Sequence, residues 1–329
     1  MAKSAAKWAT KWADDPALAR IDYLLAEFPG YTGSEAALRI QTLGGFRVWR
    51  AADAEVEGAD WGREKALQLV QFLITVGRQF LHKEQIIDRL WPELDADKGD
   101  RDFKVALNSA NKALDPDREP RSEPRFVRRH RLAYGLDMDQ IWLDSEVFEQ
   151  LIEAGNLAYD KSQHGAKLAE PAPQESASKS KDIEKPAKTG NDATADKETE
   201  EYYRAIACYE EAVRLYHGDF LPERRYEDWT SAMRERVQVL ALTTMTTLAE
   251  LIFTTNLLEA LRLTQRVLTI DPVWEDAYRV QMRAFAAQGN RPMALRTYAR
   301  CVENLKKEFG VDPLPETQTL YEEIRKGKF

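Results

Sequence analysis

KEQIIDRLWPELDADKGDRDFKVALNSANKALDPDREPRSEPRFVRRHRLAYGLD, residues 83–137, decides the architecture of this chain. Its opening turn pattern puts Ile86, Ile87, Leu90 and Trp91 on one buried helical face, and Pro92 breaks that helix. From about Gly99 to Leu114 a longer helix is predicted, with Phe103, Leu107, Ala110 and Leu114 toward a core. Arg101, Lys104, Asn108, Asn111 and Lys112 turn away from them. A compact hairpin follows, with Phe126 and Val127 on one strand and Leu132, Tyr134 and Leu136 on the other. Its tip falls near His130 and Arg131. A short helix, a break, a polar-faced helix and a basic β-ribbon together predict a winged helix-turn-helix.

The polar face of an isolated helix is usually just solvated surface. Here the preceding helix and the intervening break match the two-helix unit that presents such a face to DNA. Lys and Arg can then donate to phosphates, while Asn or Arg can pair bidentately with purine edges. The hairpin adds Arg121, Arg125, Arg128, Arg129 and Arg131 within eleven residues, opposed only by Glu123. One or two arginines would be ordinary protection of an edge strand, but five point to the minor groove or the sugar-phosphate backbone. The candidate DNA-binding residues are Lys83, Arg101, Lys104, Asn108, Asn111, Lys112, Arg125, Arg128, Arg129, His130 and Arg131.

A net charge of −8 over 329 residues argues against a nucleic-acid partner unless the charge is unevenly distributed. It is: residues 141–200 carry 7 basic and 13 acidic side chains, whereas residues 98–131 carry 10 basic and 6 acidic. Phosphates respond to the local field, within a Debye length of ~10 Å, more than to the global sum. The two cysteines, Cys208 and Cys301, are far apart in helical patterns, and no apolar leader or membrane-length run is present. Free thiols, a cytoplasmic location and no membrane partner are therefore expected.

The pattern divides the chain into parts. Residues 1–37 suggest a helical arm around Pro16, carrying Trp8 and Trp12. Residues 38–140 hold strands in LRIQTLGGFRVWR and AEVEGADW, a helix with Ala66, Leu67, Val70, Leu73 and Ile74 in a stripe closed by Gly77, and then the winged unit. Residues 141–160 form a helix introduced by Asp144 or Ser145. Residues 161–199 lack aromatics and are rich in Lys, Glu, Ala, Ser and Pro, which predicts a disordered linker. Residues 200–329 are helical, and Ala260-Leu261-Arg262 recurs at Ala294-Leu295-Arg296, offset by 34 residues. That is the tetratricopeptide period, and Asp271-Pro272 stands where such a repeat turns. About two and a half units are expected to stack as a short right-handed solenoid, interrupted by HGDFLPERRYEDW at 217–229. The fold class is mainly α with a small β component.

These segments resemble a known family. FRVW (46–49), KALQLVQFLI (65–74), KEQIIDRLWPE (83–93), RDFKVALNSANKALDPD (101–117) and FVRRHRLAYGLD (126–137) are similar to the OmpR-type winged helix of SARP-type regulators. AVRLYHGDFLPERRYEDW (212–229), RERVQVLALTTMTTLAEL (234–251) and KKEFGVDPLPETQTLYEEI (306–324) resemble the bacterial transcriptional activator domain that follows it. The resemblance implies an activator that sits at promoter repeats and contacts RNA polymerase. By position it places Arg101, Lys104, Asn108, Asn111 and Lys112 on the recognition helix, and Arg128, Arg129 and Arg131 on the wing. His82 stands where a serine or threonine commonly caps the second helix, and the linker splits the activator domain after its first helix.

Catalytic motifs are absent: no P-loop, no GxGxxG with an acidic ribose partner, no HExxH and no GxSxG. His82, His130, His164 and His217 have no metal-ligand spacing, so neither an enzyme nor a cofactor is expected. Double-stranded DNA is the expected partner, with RNA polymerase and a second copy of the chain as further candidates. Two rivals stand beside this: a protein-interaction scaffold built on the repeats, and the output part of a larger signalling ATPase.

Overall fold

The computed structural model describes residues 36–50, 54–168 and 191–328. The expected N-terminal arm therefore lies outside the described residues apart from its last two positions, as does the middle of the linker. Two compact units divide the described residues: one holds those from 36 to 149 together with 214–239, the other holds those from 150 to 213 and from 240 onward.

The first unit opens with an antiparallel meander, β1 (Leu38–Gln41), β2 (Arg47–Arg50) and β3 (Ala54–Glu55). Helices α1 (Glu64–Val76), α2 (Lys83–Leu90) and α3 (Ala96–Leu114) follow. The hairpin is β5 (Val127–His130) and β6 (Ala133–Leu136), and β6 also pairs with β4 (Leu81–His82), giving the order β4-β6-β5. β7 (Ile141–Leu143) then runs parallel to β1, so the first sheet has the order β3-β2-β1-β7. Asp144 begins α4 (Asp144–Leu168) and is buried, accepting from the Thr42 and Leu43 backbone N–H groups at 2.8 and 2.9 Å. Burial pushes that carboxyl up, against the pull of these donors.

The helical pair and the wing share one core. Phe103 is fully buried, its ring edge-on to Tyr134 of β6 at 5.0 Å and to Trp91 at 6.4 Å. Gly99 lets α3 approach α2, since a Cβ there would meet Ile87 Cγ2 at 2.6 Å. The α3 helix starts a turn earlier than its apolar spacing predicts, because Asp95 caps it by accepting the Lys98 N–H at 2.9 Å. His82 is the N-cap of α2, and Gln85 Oε1 accepts the His82 backbone N–H at 2.9 Å, which offsets the weak cap expected from a histidine.

One feature of α1 departs from the expected single stripe. Leu69, Phe72, Gln68 and Gln71 are buried along with Ala66, Val70, Leu73 and Ile74. The cause is the GDFLPERRYEDW segment, which packs within this unit. Leu43 bridges Phe220, the Leu221 N–H donates to Thr42 O at 2.9 Å, and the Gly44 N–H donates to Asp219 O at 2.9 Å. Gln68 and Gln71 donate to Glu227 and Glu223 at 2.9 and 2.8 Å, Arg224 pairs with Glu64, and Trp229 meets Phe72 edge-on at 5.5 Å. Gly44 has φ +82°, and a Cβ there would lie 2.7 Å from His217 Cβ.

The second unit holds α4 from residue 150 onward, α5 (Asn191–Leu215) and α6 (Asp228–Ile252), all three shared with the first unit, then α7 (Leu257–Ile270), α8 (Glu275–Ala287), α9 (Arg291–Phe309) and α10 (Pro315–Lys326). The 34-residue offset appears as matched caps: Asn256 accepts from the Glu259 N–H and Asn290 from the Met293 N–H, each at 3.3 Å. Ala260 and Ala294 are both fully buried. Tyr298 stacks on Tyr321 at 4.1 Å beside a cluster of Met282, Ala294, Leu320 and Ile324. In FGVDPLPET, Gly310 closes α9 with φ 71°, and Glu275 accepts from the Leu314 N–H and Thr317 Oγ1 at 2.9 and 2.7 Å. Helix also enters the stretch expected to be a disordered linker, since α4 continues to Leu168 and α5 begins at Asn191. No helix among the described residues is long and apolar enough to cross a membrane.

Candidate nucleic-acid interface

Helix α3 and the β5–β6 hairpin form the candidate surface. The α3 residues Phe103, Ala106, Ala110, Ala113 and Leu114 are buried, while Arg101, Lys104, Val105, Asn108 and Lys112 are exposed. At 100° per residue the axis of the exposed stripe runs through Arg101, Asn108 and Lys112. Asn111 falls roughly 80° off that axis. It is buried, contrary to its expected outward placement. Leu107, on the same flank, is only half-buried, so that flank departs from the simple two-face division.

The hairpin is closed by Arg131 and Leu132, and Arg131 adopts φ 59°. That left-handed conformation suits glycine or asparagine; an arginine there costs roughly 1–2 kcal/mol. The Lys83 N–H donates to Leu132 O at 2.9 Å, fixing the turn against the start of α2. His130, Arg131 and Leu132 are all exposed at the tip.

The cations are not equivalent. Asp100 on α3 pairs with Lys104 at 2.6 Å and with Lys83 at 2.5 Å. Hydrogen bonds from Lys104 and then Lys83 hold the Asp100 carboxyl down at about 2, and Asp100 in turn raises the Lys83 ammonium. Arg128 pairs with Asp137 at 3.1 Å, and Asp137 is lowered first by the Gln140 hydrogen bond and then by Arg128. Arg125 instead donates to Gln140 Oε1 at 2.7 Å, and Arg129 donates to Arg131 O at 2.6 Å while lying over the Tyr134 ring. Arg101 reaches only Asp97 O, at 3.4 Å. Arg101, Lys112, Arg125, Arg129 and Arg131 thus hold no carboxylate among the described residues, which leaves five cations for an external anion.

A broad cavity of about 650 Å³ between β2, β3 and α1 has Phe46 and Trp61 in its lining. Its rim holds Glu55, Glu57 and Glu223 against the single cation Arg47, the wrong sign for a phosphate site. Among the described residues no group of three His, Cys, Asp or Glu side chains could hold a metal ion. Cys208 and Cys301 are buried, and burial pushes their thiols up to about 11 and about 12, away from a reactive thiolate. Sequence reasoning did not foresee the partnership of residues 217–229 with the winged fold. Its one local signal was Gly44-Gly45, a place where another backbone could approach closely.

Residues 182–325 match the family model of the bacterial transcriptional activator domain. No curated protein matches the chain. Among solved structures, EmbR of Mycobacterium tuberculosis, described in complex with a low-affinity phosphopeptide, is similar with a TM-score of 0.65 at 15% identity. The match covers 89% of this chain and 66% of that one, so this chain spans just under two thirds of the EmbR chain. The family match thus covers the C-terminal part of the chain, where the sequence motifs resemble the same activator domain.

Proposed function

We propose that the chain is a cytoplasmic, non-enzymatic transcriptional activator that binds double-stranded DNA in a sequence-specific manner and contacts RNA polymerase. In this reading residues 38–140 read DNA, and the helical region from residue 200 onward, split from helix 141–160 by the linker, engages partners or a second copy. The observation that carries it is the exposed Arg101-Asn108-Lys112 stripe of α3 beside a hairpin whose Arg125, Arg129 and Arg131 hold no carboxylate among the described residues. A helix of that polarity fits the major groove, and a basic tip beside it fits the backbone or minor groove. The match to an activator domain supports the direction of regulation.

Titration of labelled duplexes with the full chain at several salt concentrations tests this. With about five phosphate contacts, log K should fall against log[salt] with a slope of roughly −4 to −5. No duplex binding at low salt would sink the proposal.

A second function is favoured by the way Asp100 and Asp137 occupy Lys83, Lys104 and Arg128. In that case the winged fold is a docking platform and the repeats bind a peptide. Pull-downs with promoter-sized DNA and with RNA polymerase separate the two: capture of polymerase without DNA favours the platform.

A further inference from the structure

Val105 is the misfit of α3. Every other hydrophobic residue in the two central turns, Phe103, Ala106, Leu107 and Ala110, is buried or half-buried, yet Val105 is 39% exposed. It lies on the same stripe as Arg101, one turn before it, and Asn108, almost one turn after it. Helix propensity does not account for valine there, and packing covers only part of its side chain. The exposed part of the side chain forgoes some of the stabilisation that full burial would bring, and a β-branched residue is a poorer helix former than Lys, Glu or Ala. An exposed apolar branch among hydrogen-bonding side chains fits a ligand that shows an apolar group beside polar edges. In the major groove that group is the C5-methyl of thymine.

We infer that Val105 is a specificity-determining residue that packs against a thymine methyl group in the major groove. This rests on the DNA-reading role of α3 proposed above. Three residues of helix advance about 4.5 Å. That is close to one base step of ~3.4 Å. The thymine therefore lies within about one step of the base engaged by Asn108, whose side chain pairs best with adenine N6 and N7. The half-site should contain adjacent A·T pairs.

The experiment uses the full chain and duplexes selected by it from a random library. Each thymine of the selected site is replaced in turn by deoxyuridine, which removes the methyl group alone, and affinity is measured for wild type and Val105→Ala. Loss of one methyl contact corresponds to about fourfold weaker binding. Wild type should show that loss at one thymine position, and Val105→Ala should bind the thymine duplex more weakly while no longer distinguishing deoxyuridine there. If wild type binds its selected duplexes but is indifferent to deoxyuridine at every position, or if Val105→Ala keeps the wild-type sensitivity, the Val105 inference is overturned and DNA reading stands. If selection enriches no sequence and no duplex binds at low salt, DNA reading falls and the inference with it. The deoxyuridine series on wild type is independent of how the variant folds.

Discussion

The α3–wing surface and the seam between α1 and residues 217–229 belong to one compact unit but solve opposite physical problems. At the seam polar groups are matched within the chain: Gln68 to Glu227, Gln71 to Glu223 and Arg224, and Thr42 and Gly44 to the backbone of Leu221 and Asp219. On the α3–wing surface five cations hold no carboxylate among the described residues, a valine is exposed and an arginine adopts a left-handed turn. Saturated hydrogen bonding with burial stabilises a fold; unpaired charge and strain contribute to it only if something outside supplies the missing contacts. The difference teaches where stability resides and where binding is expected.

Breaking the seam should have the largest effect. Phe220 is fully buried and bridged to Leu43, so Phe220→Ala is expected to destabilise the first unit by about 3–5 kcal/mol. Chemical denaturation followed by tryptophan fluorescence would measure this. Where the fold persists, the salt slope of DNA binding should be unchanged; a changed slope would mean that the seam also shapes the cation surface.

An intermediate effect is expected from Arg128→Ala with Arg129→Ala. Arg129 lies over Tyr134 without a carboxylate, while Arg128 already holds Asp137. Affinity should fall on all duplexes alike, and the salt slope should become less steep by about one rather than two. A full two-unit change would show that Arg128 leaves Asp137 for the phosphate.

The smallest and most discriminating change is Arg131→Gly. Relief of the left-handed backbone should raise stability by roughly 1 kcal/mol, while the salt slope becomes less steep by about one. Thermal unfolding and the same titrations report the two quantities separately. Gain of stability without loss of affinity would remove Arg131 from the binding surface.

Much of the first unit was legible along the chain. The Ile86, Ile87, Leu90 and Trp91 stripe, the Pro92 break and the Phe103 and Ala110 spacing are periodic signals with one physical meaning, and the hairpin alternates around its tip. The 34-residue offset likewise announced α7 and α9. Asn111 was not legible, because a residue on the flank of a helix is exposed or buried according to its neighbours. Nor was the engagement of Lys83 and Lys104 by a single Asp100, since Lys83 lies on a different helix.

Sequence by itself determined the helices, the hairpin, the repeat period and the local basic excess, because each depends on the spacing or charge of residues close in the chain. Tertiary structure alone decided that residues 217–229 cover Gln68 and Gln71 of α1, some 150 positions away, and which cations are left without a carboxylate. Those outcomes depend on which surfaces meet, and long-range complementarity leaves almost no periodic trace in a single sequence.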